Sequence, residues 1–253
     1  MGGKRFEKGE RYTSNYGTVV ELLYRIDTFR WMCRVVGSDV ECAINQTQLR
    51  TGTGFITPVC KTVYGIGYFG KGSYICRHPD GEISDVYCVW ANLLKRCYTD
   101  YKGNYGKENY KNATVCEEWH NYQTFAKWYE DNTTRFKEHN IVPYLDKDLK
   151  IEGNTTYSPD TCILLPNILN CTVRGRVTTT IYQGVTKKNG KYIVSVMFKG
   201  KQNRVGKFET LDEAITCYQT EKVKVLRKLA DEFKHVLSTE AYDILYNFKK
   251  ERC

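Results

Sequence analysis

Asp146 and Asp148 flank Lys147 in the run Leu145-Asp146-Lys147-Asp148-Leu149. If that run is a strand, the acid-x-acid spacing puts both carboxylates on one face. Two such carboxylates can hold a hard divalent cation, or can lie solvated and salt-bridged beside Lys147 and Lys150. Hydrolysis would also need a general base, for which imidazole is the natural group near neutral pH. The four histidines stand elsewhere: His78 in a turn, His120 on a helix, His139 just before the acidic run and His235 at a helix end. Lys147, protonated at pH 7 unless buried, is a poor base. A second concentration of chemistry lies near the carboxyl end. Residues 181–253 carry 15 Lys+Arg against 9 Asp+Glu, which supplies +6 of the whole chain's +9. Such asymmetry is the footprint of a polyanion-binding segment, although lysine-rich helix faces are commonly just solvated.

The elements that must position these groups can be read from periodicity. Lys188-Asn189-Gly190-Lys191 and Lys199-Gly200-Lys201 are polar turns, each with a glycine, between short strands. Tyr192, Val194, Val196 and Phe198 alternate with Ile193, Ser195, Met197 and Lys199, as expected of a sheet covered on one side only. From Leu211 the period becomes helical, with Ala214, Ile215, Tyr218, Val225, Leu226, Leu229 and Phe233 on one stripe. Thr210 is the candidate N-cap, and Asp212 and Glu213 fall in the first turn.

The order Tyr182-x-Gly184-Val185, Gly190-Lys191-Tyr192, then Arg204-x-Gly206-x-Phe208-x-Thr210-x-Asp212-Glu213-Ala214 resembles the DNA-binding domain of plant ethylene-response factors, the Apetala-two type. That domain also occurs in phage and mobile-element nucleases. The resemblance implies a three-stranded sheet in the major groove of double-stranded DNA, with the helix packed behind it. Position by position, it makes Gln183, Thr186, Lys188, Ser195, Met197, Gln202 and Arg204 the groove-facing set. The plant domain has mostly arginine and tryptophan at these places, so its sequence preference does not carry over. Gln and Arg side chains can still read base edges bidentately, while Lys188 and its neighbours would hold phosphates.

The middle of the chain resembles the HNH-type nuclease modules of phages. The matching residues are Trp90, Arg96-Cys97-Tyr98, Val115-Cys116-Glu117-Glu118-Trp119, and the signature from Leu145 through Gly153-Asn154 to Tyr157-Ser158-Pro159-Asp160-Thr161-Cys162. With the carboxyl-terminal motif, the two resemblances cover roughly residues 60–235. An active HNH site is a ββα unit in which a strand-end histidine activates water and a neighbouring acid, with a His or Asn on the helix, holds one divalent metal. Here the expected Asp-His pair reads Asp146-Lys147. The resemblance therefore implies Asp146, Lys147, Asn154 and Asn170 as the catalytic set. Asp146 and Asn170 would be the ligands of Mg2+ or another divalent ion, Asn167 an alternative for the later place, and His139 or His120 would have to fold back to replace the missing base, although a lone polar or capping histidine is the commoner case. If the module is inactive, no cofactor is implied.

The remaining segments read more simply. Thr18–Arg25, Thr28–Val36 and Val40–Gln48 are strand-like runs of a small bent sheet closed by Thr51-Gly52-Thr53-Gly54. Gly65-Ile66-Gly67-Tyr68-Phe69-Gly70 fits the spacing of a dinucleotide loop. The further Gly72, Tyr74 and Pro79-Asp80-Gly81 leave no helix to start at its third glycine, so it reads as a connector. Helices are predicted over Asp85–Tyr98 and Val115–Asn132, with Trp90, Trp119 and Trp128 as core and a polar loop at Tyr101–Lys107 between them. A wide-looped hairpin should follow, with a short helix begun at Pro166. Eleven cysteines without a Cys-x-x-Cys pair argue for reduced fillers and against a zinc ribbon. No apolar run reaches membrane-spanning length, and the amino terminus lacks a signal-peptide core, so no membrane partner and a cytoplasmic location in a bacterial host are expected.

The expected fold class is α+β. It comprises a small β-rich amino-terminal unit over residues 1–75, a central HNH-like ββα module with flanking helices over 76–178, and a carboxyl-terminal three-stranded sheet packed on a helix over 179–253. The expected function is that of a phage-type DNA-binding protein resembling HNH homing endonucleases, cleaving phosphodiester bonds if active. The alternative is a catalytically degenerate DNA-binding or counter-defence protein, with the tyrosine-rich residues 1–75 available to a host protein.

Overall fold

The computed structural model describes residues 5–53, 57–99, 110, 112–174 and 181–249, and the fold is mixed α+β. The chain divides into two compact units, residues 1–130 and 131–253. The division falls inside a helix rather than at the sequence-based boundaries of 75/76 and 178/179. The first of those boundaries lies within one unit, and the second lies outside the described residues.

In the first unit β1 (Arg11–Thr13), β2 (Val19–Arg25), β3 (Arg30–Val35) and β4 (Glu41–Asn45) form an antiparallel sheet in sequence order. Its inner face buries Val20, Leu22, Trp31, Cys33, Val35 and Ile44 against Leu49 and Phe6. Strand β4, the third strand-like run of the sequence, ends three residues before Gln48, where the sequence pattern carried it. Asn45 and Gln48 form a capping box that starts α1 (Gln46–Thr51), and Gly52 ends the helix at φ 68°. Gly54 and the polar loop at Tyr101–Lys107 lie outside the described residues. Helix α2 (Asp85–Tyr98) spans the predicted run. Gly67 of the glycine-rich connector lies so close to it that a Cβ there would come within 2.8 Å of the Trp90 ring.

The second predicted helix is shifted. Thr114–Val115 is a short strand, β5, and Glu117–His120 a 3-10 turn, so α3 runs from Tyr122 to Glu138. Asn121 accounts for the late start, because its side chain accepts the Gln123 N–H at 3.0 Å. Burial of Tyr129, Thr133 and Phe136 at helical spacing carries α3 past Asn132. Trp90 and Trp119 are fully buried, with the Trp90 indole donating to the Trp119 carbonyl at 2.7 Å, while Trp128 is partly buried against Trp119.

The second unit pairs β6 (Pro143–Asp146) antiparallel with β8 (Ile163–Pro166) around a wide loop that holds the short β7 (Thr156–Tyr157). Helix α4 (Asn167–Arg174) follows directly and completes a ββα unit. Next come β9 (Val185–Lys188), β10 (Lys191–Phe198) and β11 (Lys201–Phe208), antiparallel in the order β11-β10-β9, then α5 (Leu211–Glu232) and α6 (Thr239–Tyr246). Asn189-Gly190 and Lys199-Gly200 turn the strands with φ of 52° and 77°, and 49° and 76°, the two-residue geometry that matches strand twist. Helix α5 serves two cores. Ala214 and Tyr218 cover Val185, Val194 and Val196 of the sheet, whereas Val223, Leu226 and Leu229 pack with Ile163, Leu165 and Leu169 of the ββα unit. The sheet and the ββα unit are thus braced by one helix.

Candidate nucleic-acid interface and the Asp146 site

Strand register decides which side chains share the open face of the β9–β11 sheet. Val194 and Val196 are buried against α5, so the odd positions of β10 face away from it. Ile193 is paired with Thr186 on one side and Lys207 on the other. Ser195 is paired with Arg204, Met197 with Gln202, and Lys191 with Lys188. Six of the seven residues expected in the groove, Thr186, Lys188, Ser195, Met197, Gln202 and Arg204, therefore lie on one face. Gln183 stands apart, half-buried in the turn before β9 where Tyr182 bridges Val185. Lys191, Ile193 and Lys207 complete the face; the same period-2 alternation would have added them from sequence. A bulge at Val194/Ser195 leaves Val205 as the extra residue on β11.

Gly184 sets how β9 approaches. At φ 70°, a Cβ on it would sit 2.7 Å from the Ser195 carbonyl oxygen and inside the Tyr218 ring. Its own carbonyl accepts the Ser195 N–H at 2.9 Å. Only glycine lets the strand close on β10 here.

The electrostatics of the sheet are one-sided. Residues 185–208 contain seven lysines and arginines and no carboxylate. Glu209 and Glu232, from beyond the strands, pair with Lys191 and Lys199. Among the described residues no carboxylate forms an ion pair with Lys187, Lys188, Lys201, Arg204 or Lys207. Lys187 lies over the Tyr192 ring, on the helix side of the sheet.

The ββα unit buries Asp146 at the end of β6, with 2 % of its surface exposed. Its Oδ1 accepts the N–H groups of Asp148 at 2.9 Å and Leu149 at 2.7 Å. Its Oδ2 is buried with no hydrogen-bond partner among the described residues, and so is the Oδ1 of Asn170 on α4. Desolvation holds the Asp146 carboxyl above the ordinary aspartate range, against the two backbone N–H groups that pull it down. Asp146 Oδ2 and Asn170 Oδ1 are both oxygen donors of the hard kind that divalent cations take, on elements β6 and α4 that pack together. Among the described residues no three His, Cys, Asp or Glu converge on a metal position, so water and phosphate oxygens would have to complete the shell.

Lys147 and Asn154 come together in the loop between β6 and β8. The Lys147 ammonium donates to Asp148 Oδ1 and, at 2.9 Å, to the Asn154 carbonyl, and it lies 5.8 Å from the Tyr157 ring centre. The Asn154 amide donates to the carbonyls of Lys147 and Thr156, each at 2.8 Å. The pair staples the β6–β8 loop shut. Asp148 lies beyond the end of β6, so the two carboxylates do not share a strand face, and it is paired with Lys147. Asn167 is exposed and accepts from the Cys171 thiol. His139 packs edge-on against His235 with ring centres 4.4 Å apart, and His120 contacts the Tyr98 hydroxyl at 3.3 Å. Burial lowers the His120 pKa. No helix among the described residues is long and apolar enough to cross a membrane. No protein-family model, curated protein or solved structure matches the chain.

Proposed function

We propose that the chain binds double-stranded DNA by laying the open face of β9–β11 in the major groove. The observation that carries this reading is the register that aligns Thr186, Lys188, Ser195, Met197, Gln202 and Arg204 on one exposed, carboxylate-free sheet. Three strands about 4.8 Å apart make a ribbon about 10 Å wide, which suits a major groove about 12 Å wide. Arg204 and Gln202 offer bidentate hydrogen bonds to base edges, and the lysines offer contacts to phosphates. The test is electrophoretic retardation of duplex DNA by the whole protein. Salt-sensitive retardation supports the reading, and indifference to duplexes at low ionic strength overturns it.

Beside that reader, the Asp146 site supports phosphodiester cleavage of the HNH type. A divalent ion such as Mg2+ held by Asp146 and Asn170 would supply charge neutralisation for the scissile phosphate. The backbone N–H groups of Asp148 and Leu149 orient the Asp146 carboxylate so that Oδ2 stays available. A second reading, binding without cleavage in a regulatory or counter-defence protein, is favoured by one observation. Lys147, at the place of the expected base, is engaged by Asp148 and Asn154. Nicking of supercoiled plasmid with Mg2+ or Mn2+, abolished by Asp146→Ala, separates the two: retardation without nicking favours the binder.

A further inference from the structure

We propose that the open sheet face selects duplexes through the C5-methyl groups of thymine, with Met197 and Ile193 as the apolar readers. The inference rests on the groove-binding reading and gives it a substrate preference. Neither side chain belongs to the core beneath the sheet, which is built from Val185, Val194, Val196, Ala214 and Tyr218. Met197 is 39 % exposed on a strand whose neighbours are cationic or polar, so apolar surface stands open on that face.

The rows across the face narrow what that surface fits. Ile193 stands between Thr186 and Lys207, and Met197 stands beside Gln202, with Ser195 and Arg204 between the two rows. In the major groove the thymine methyl is the one apolar feature on a base edge. A glutamine amide reads adenine bidentately on the same edge. Gln202 and Met197, paired across β10 and β11, thus carry the two groups that together describe an A·T pair. The thioether of Met197 is flexible and polarizable and can settle on a methyl without strict geometry. The Thr186 methyl extends the apolar contact on the Ile193 row. Charge complementarity holds the duplex against the face while these contacts choose the sequence, because no carboxylate lies within residues 185–208.

The test uses the whole protein and duplexes taken by it from a random-sequence pool. Each duplex is resynthesised with uracil at every thymine, which removes the methyl groups and keeps the base pairing. Wild type should lose affinity about fourfold, or about 0.8 kcal/mol, for each methyl contacted. Met197→Ala should bind the thymine and uracil duplexes more nearly alike while keeping the wild-type circular dichroism, and Ile193→Ala should do so at a second position. Equal wild-type affinity for both duplexes overturns the inference and leaves groove binding intact. A uracil penalty undiminished in both variants also overturns it, because other side chains would then be contacting the methyls. No retention of either duplex at about 50 mM salt overturns the groove reading itself and the inference with it.

Discussion

The two sheets of this protein handle charge in opposite ways. On the outer face of the amino-terminal sheet, Arg11, Glu21, Arg34 and Glu41 stand in register across four strands, alternating in sign. Arg11 pairs with Glu21 at 3.0 Å and Arg34 with Glu41 at 2.8 Å, and Asp27 and Arg30 close another pair at the β2–β3 turn. That face neutralises itself. The carboxyl-terminal sheet has seven cations and no acid within residues 185–208, and its two acidic partners reach only Lys191 and Lys199. Both sheets have one apolar face and one wet face, so the difference lies in side-chain choice on the wet face. A compensated ladder blunts a surface, whereas an uncompensated one keeps a field that only an external anion can satisfy.

Ionic strength should give the largest effect. If the four cations of the open face, Lys188, Lys191, Arg204 and Lys207, each neutralise one phosphate, raising salt from about 50 to about 200 mM lowers duplex affinity on the order of 150-fold. Replacing Arg34 with alanine in the amino-terminal ladder should leave that slope unchanged, and anisotropy titrations at several salt concentrations check both. Gly184→Ala should cost about 3 kcal/mol of stability in urea unfolding, since the new methyl meets Tyr218 and the backbone is held at positive φ. Next comes Arg204→Ala, expected to weaken duplex binding by roughly 1–3 kcal/mol with the fold intact; unchanged affinity would remove Arg204 from the contacts.

Asp146→Asn tests the strained carboxylate. The folded-state pKa of Asp146 lies above its unfolded value, so the folded protein holds that proton to higher pH. The associated stability is present below the unfolded pKa and is lost as pH rises through the folded one. The asparagine variant should therefore be more stable than wild type at pH 7, with the advantage shrinking as pH falls through the folded pKa and gone below about 4. Thermal melts across that range check it, and an advantage that instead grows toward acid would contradict the sign. The smallest effect should come from the amino-terminal ladder itself. A double-mutant cycle on Arg34 and Glu41 should give about 0.2–1 kcal/mol of coupling, screened by salt, as for exposed pairs.

Much of the carboxyl-terminal sheet could be read before folding because its signals are local. Tyr192 to Phe198 alternate with period two, Asn189-Gly190 is a hairpin turn, and Thr210 with Glu213 forms the capping box that opens α5. The Asn45–Gln48 box was equally local, but the apolar run before it drew the strand three residues too far. Asn154 and Lys147 were harder. Their residue types suit catalysis, and only the closed loop shows that their polar atoms serve each other and Asp148. Lys222 was invisible as a core residue, since its burial depends on α5 passing α4, where the ammonium reaches the Val173 carbonyl at 3.3 Å.

The order of residues alone determined the hairpin turns, the alternation that splits β10 into two faces, the cap of α5 and the excess of positive charge near the carboxyl end. Each depends on neighbours a few positions apart, within reach of backbone geometry and simple charge counting. Only the tertiary structure decided that one helix braces both the basic sheet and the ββα unit. It also decided that Asp146 and Asn170 keep buried oxygens without partners among the described residues while Lys147 is drawn into the loop. Those outcomes turn on which apolar surfaces pack together and which polar groups are left behind, and residues far apart in sequence settle that jointly through close packing.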